Sequence, residues 1–142
     1  MSFWRRHIDL AAIALLCVIS LTPRLALLFW TDFRVDADEA IVGLMAKHIS
    51  EGQNWPIFYY GQPYMGSLEA ILAAALFNIC GVSAVALKCV PLSFAVLQVV
   101  LAYFLAAQFV PRAFAFIGAL SVALGPSALV EWSVKPRGGF IE

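Results

Sequence analysis

Charge is scarce in this chain. Only 13% of its 142 residues are Asp, Glu, Lys or Arg, 63% are hydrophobic, and the mean hydropathy is +0.88. Soluble domains carry about 25% charged residues. Water is therefore a poor solvent for this sequence, and a bilayer is expected in its place. An excess of either sign is also missing, because nine Lys and Arg balance nine Asp and Glu. Without a global field there is no expectation of nucleic acid as a partner. Cysteine is limited to Cys17, Cys80 and Cys89, each inside an apolar segment, with no C-x-x-C or Cys/His pair. That excludes a disulfide framework or a cysteine zinc site and leaves three packing residues.

What is present is a set of long apolar runs. Residues 10–30, 84–107 and 113–132 each reach the roughly 20 residues needed to cross a hydrocarbon core. They predict an all-α, polytopic membrane protein with about three transmembrane helices. Pro23 predicts a kink in the first run, and Arg24 beside it is expected to snorkel toward the interface. A cleaved signal peptide competes with this reading, but no A-x-A-like site follows the run, which favours an uncleaved anchor. Arg5 and Arg6 precede the first run and predict a cytoplasmic N-terminus in the cell membrane. In the third run, Gly125-Pro126 marks a break.

Residues 31–83 then form a first outer loop. Within it Ile41, Leu44, Met45, His48 and Ile49 recur at helical spacing and Gly52 stops the pattern, predicting an amphipathic helix on the membrane surface. His48 on its apolar face reads as a packed histidine. The aromatics Trp55, Phe58, Tyr59 and Tyr60 read as an interfacial belt. Residues 65–81 hold an apolar run from Ala70 to Phe77 that is too short to span, with Glu69 at its start, and predict a short interfacial helix. On this count the tail KPRGGFIE lies on the same side as the outer loop. A further crossing at 65–81 would move the tail to the cytoplasm. Arg112 supports the first count, Lys135 and Arg137 the second, and length favours the first.

Three carboxylates, Asp36, Asp38 and Glu39, stand where the chain leaves its first run. Asp36 and Glu39 fit a capping box, N-cap and N3. Asp38 has no such explanation, and carboxylates beside a membrane are costly and usually functional.

The stretch DADEAIVGLMAKHISEGQNW, the later YYGQPYMGSLEA and the ending SVKPRGGFIE resemble the N-terminal part of the polytopic GT-C glycosyltransferases. The resemblance is to the glycosyltransferase family 39 branch, which includes protein O-mannosyltransferases. It implies an inverting transfer of a sugar from a polyisoprenyl-phosphate donor to an acceptor on the outer face of the membrane. It implies that Asp38 is the catalytic acid of the first outer loop and Glu39 its neighbour. Where relatives carry Lys-Pro or His-Pro after the tyrosine turn, this chain reads Met65-Gly66-Ser67.

The chemistry suits these residue types. A carboxylate takes the proton of the attacking acceptor, and a phosphate leaving group needs cations or N–H donors. Lys135, Arg137, Gly138 and Gly139 are the expected phosphate partners, against a reading as an ordinary basic turn. Asp36 and Tyr64 are expected to contact substrate. Glu142 is expected to be a second acid or a contact to a divalent cation, against a reading as a simple terminus. The sugar and the acceptor are left open. Membrane lipids are expected neighbours, and the 142 residues alone are expected to be inactive. The alternative is a small non-enzymatic membrane protein or a truncated remnant.

Overall fold

A computed structural model describes residues 2–53 and 55–137, with side chains from residue 7 onward. Its elements are α1 (Ser2–Trp30), α2 (Ala37–Ser50), α3 (Leu68–Cys80), α4 (Ala84–Phe109), α5 (Arg112–Leu124) and α6 (Ser127–Trp132). Among the described residues there is no strand, only an isolated antiparallel bridge between Phe58 and Gly66. Two helices are long and apolar enough to cross a membrane, His7–Trp30 within α1 and all of α4. A helix satisfies its own backbone groups, as a span through hydrocarbon would require.

α1 and α4 run antiparallel. At one end Tyr103 donates to Asp9 Oδ1 at 2.8 Å, and Arg112 grips both Asp9 oxygens at 2.6 and 3.1 Å. Toward the other end Leu28 of α1 shares a cluster with Leu92 of α4 and Val134. α5 turns back along both helices. Its Ala115, Ala119 and Ala123, four residues apart, are fully buried with Val99, Tyr103 and Leu16. Small side chains at that spacing let helix backbones approach closely.

The third expected span, 113–132, is two helices rather than one. α5 holds 13 residues, or about 20 Å, and α6 holds 6. Gly125 between them has φ +43, and Pro126 has no N–H to offer the last turn of α5.

Arg24 explains how that break is tolerated, and it corrects an expectation. The side chain does not snorkel; it is 1% exposed. Its guanidinium donates to Ala123 O at 3.0 Å, Ser20 O at 2.8 Å and Ser133 Oγ at 2.8 Å. A cation thus caps a C-terminal carbonyl of α5, where the helix dipole is negative.

A second layer is built on the start of α4. Val42, Met45, Ala46 and Ile49 of α2 bury against Ala70, Ala73, Ala74 and Phe77 of α3 and against Ala86, Leu87 and Val90. The buried face of α2 is therefore rotated from the expected one: Val42 and Ala46 are inside, whereas Leu44 is exposed. The helix packs on protein along that face because α3 lies beside it. α3 spans about 20 Å, short of a hydrocarbon core of about 30 Å. Leu68, Leu72 and Ile79 remain on its exposed side.

Candidate functional site

The first described residues after α1 make a tight turn. Asp32 and Phe33 both adopt left-handed backbone, φ +51 and +50, without being glycine. Phe33 N–H bonds Leu28 O at 2.9 Å, and the Phe33 ring packs edge-on to Phe29 at 5.4 Å, so the turn is held from both sides. It delivers Asp36 to the start of α2.

There the capping box is complete. Asp36 Oδ1 accepts Glu39 N–H at 3.1 Å, and Glu39 Oε2 accepts Asp36 N–H at 2.9 Å. Glu39 Oε1 takes a second bond, from Lys88 Nζ of α4 at 2.6 Å. That ion pair is sealed, with side chains 1% and 3% exposed. Both Glu39 oxygens are thus committed, one to the cap and one to Lys88.

The other oxygen of Asp36 faces the tail. Arg137 forms a close ion pair with Asp36 Oδ2, and Lys135 Nζ lies 4.0 Å from the same atom. Lys135 also bonds Glu131 at 2.8 Å, and the Arg137 guanidinium lies 5.1 Å from the Trp132 ring centre. The acidic turn and the basic tail, 101 residues apart, thus meet at one end of the bundle. Burial alone would raise the Asp36 carboxyl. The Arg137 hydrogen bond, the Glu39 N–H and the charges of Arg137 and Lys135 outweigh it and hold Asp36 below the usual carboxylate range. In return the Asp36 hydrogen bond raises Arg137 above its ordinary value, so it stays a cation.

Two cavities border this contact. The larger, about 500 Å³, is lined by Asp36, Glu39, Lys88 and Lys135, with an apolar wall that includes Leu27 and Trp30. The smaller, about 200 Å³, is lined by Asp38, Tyr59, Gln62, Tyr64, Met65 and Arg137. Asp38 is exposed and lines this groove. Tyr59 is buried, and its hydroxyl donates to Asp38 O at 3.1 Å, fixing the backbone there. Burial first, then the Asp38 and Asp36 charges, push the Tyr59 phenol up, so it remains a donor. Tyr64 is exposed at the rim. His48 is a packed side chain, its Nδ1 3.0 Å from the Tyr60 hydroxyl.

The structure therefore brings Asp36, Asp38, Tyr64, Lys135 and Arg137 around two adjoining cavities. Gly138, Gly139 and Glu142 lie outside the described residues. Among the described residues no group of three or more His, Cys, Asp or Glu converges as metal ligands. Sequence reading missed Lys88, a lone cation inside an apolar run. An ionisable residue in such a run is a signal in itself, since it must find a partner. It missed the burial of Tyr59 as well, which had the composition of an interfacial aromatic.

No family model, curated protein or solved structure matches this chain.

Proposed function

We propose that this chain forms part of a multi-pass membrane glycosyltransferase of the GT-C type, N-terminus in the cytoplasm, taking its sugar from a polyisoprenyl-phosphate donor. The observation that carries the reading is the smaller groove, where an exposed carboxylate, Asp38, and a cation, Arg137, face the same space. The resemblance of the acidic turn, the tyrosine turn and the R-G-G tail to that family supports it.

The chemistry divides between those groups. The acceptor oxygen attacks the anomeric carbon as the bond from that carbon to the phosphate oxygen breaks. Asp38 takes the acceptor proton, and the departing phosphate keeps the electron pair. Arg137 and Lys135 offset its charge, so no general acid is required. Asp36 and Glu39 act by shaping the turn that presents Asp38. The apolar wall of the larger cavity suits the isoprenoid part of the donor.

The test is Asp38→Asn in the complete protein, supplied with a polyprenyl-phosphate sugar. A loss of about 10²–10⁴-fold in transfer is expected, with membrane insertion unchanged. Wild-type transfer by the variant would remove Asp38 from catalysis.

One observation favours a second reading, a non-enzymatic membrane protein. Asp36, Glu39, Lys88, Lys135 and Arg137 largely neutralise one another, as structural clasps do. On that reading no polyprenyl-linked sugar is turned over by the complete wild-type protein.

A further inference from the structure

The two ion pairs at the site differ in kind. Glu39 and Lys88 are sealed from solvent, whereas the Asp36 and Arg137 side chains are 36% and 19% exposed. One carboxylate oxygen of Asp36 is fixed by the cap, so Asp36 stays in place when the pair opens. The backbone of the tail is held too, since Val134 and Pro136 are buried. What is free to move is the Arg137 side chain. The partners also face different spaces: Asp36 lines the larger cavity and Arg137 the smaller.

We propose that Asp36 is an internal competitor, a carboxylate that occupies Arg137 and Lys135 until a phosphate group displaces it. Phosphate offers the same bidentate geometry to a guanidinium as a carboxylate and carries more charge. Its arrival moves Arg137 off Asp36, and because one partner lines each cavity, their separation joins the two. The site is closed by its own acid when empty and opens as it fills. This rests on the reading of Lys135 and Arg137 as phosphate partners, and it holds whether or not sugar is transferred.

The test measures binding in the complete protein, by calorimetry with inorganic phosphate in detergent and by titration with phosphatidic acid in nanodiscs. Asp36→Asn keeps the cap, because Asn is as good an N-cap as Asp, and removes only the charge. It is expected to bind phosphate about two- to fivefold more tightly than wild type, the equivalent of a partly exposed ion pair. Glu51→Gln removes an equal charge from the far end of α2, where Glu51 pairs with Lys47, and is expected to change binding less than about twofold. The gain is expected to vanish when Asp36→Asn is combined with Arg137→Gln. A gain with inorganic phosphate assigns a soluble anion, and a gain with phosphatidic acid alone assigns a membrane-borne headgroup. Equal gains from Asp36→Asn and Glu51→Gln, or a gain that survives Arg137→Gln, would overturn the competitor. Phosphate binding that is absent from every form would overturn both the competitor and the phosphate reading of the tail.

Discussion

Lys88 and Glu39 carry opposite charges into a place where neither is stable alone. Their 2.6 Å contact is buried on both sides, so removing one partner strands the other. Lys88→Met is expected to destabilise the fold by about 3–5 kcal/mol. Adding Glu39→Gln, which keeps an N3 amide for the cap, is expected to recover at least about 1 kcal/mol of that loss. Reversible unfolding in mixed micelles measures the cycle, and strictly additive losses would mean that the pair is not coupled. Asp36 makes a different contribution. Its folded carboxyl lies below the ordinary range, so its stabilisation is complete above that range and lost as pH falls through the folded value. The stability gap between wild type and Asp36→Asn is expected to shrink on acidification into that region. A gap unchanged in acid would place the effect of Asp36 elsewhere.

At the scale of elements, the first turn of α2 decides what the site can present. It is held by a reciprocal cap and by the tail at once, and Asp38 is the acid in that turn left facing the groove. Separating the two roles of Asp36 gives a graded expectation. Asp36→Asn loses the ion pair alone, whereas Asp36→Ala loses the cap as well and is expected to be less stable by about a further 1 kcal/mol. Helix content by circular dichroism and unfolding midpoints report this, and identical midpoints would show that the cap adds nothing. The break between α5 and α6 works at the same scale. Arg24 satisfies Ala123 O in the last turn of α5, so the chain can stop that helix early and still return its tail to Asp36.

For the whole molecule, the antiparallel course of α1 and α4 and the return of α5 put the α4–α5 turn at one end and the α2 layer with the tail at the other. Placed across a bilayer, these two ends face opposite compartments. Glu51→Cys and Glu131→Cys, both at exposed positions, are therefore expected to react with a membrane-impermeant maleimide from one side. Gln108→Cys, at the end of α4, is expected to react from the other, with the native cysteines replaced by serine. Labelling of Gln108→Cys and Glu131→Cys from the same side would overturn this arrangement. Ser133 is unsuited as a reporter because it is buried and bonded to Arg24.

The pattern of apolar runs alone determined the helical class, two of the three expected membrane-length helices, a short helix within 65–81 and the break at Gly125-Pro126, since helix length and backbone chemistry are local properties. The capping box was likewise legible, because its partners are three residues apart. Which face of α2 is inside was not legible, as Leu44 and Val42 are equally apolar and only the position of α3 separates them. Nor was the fate of the charges. Lys88 with Glu39, Arg24 with the end of α5, and Asp36 with Arg137 are contacts across 49 to 101 residues. A buried ion is stable only beside a partner, and which partner it meets depends on how helices far apart in the chain come together in space.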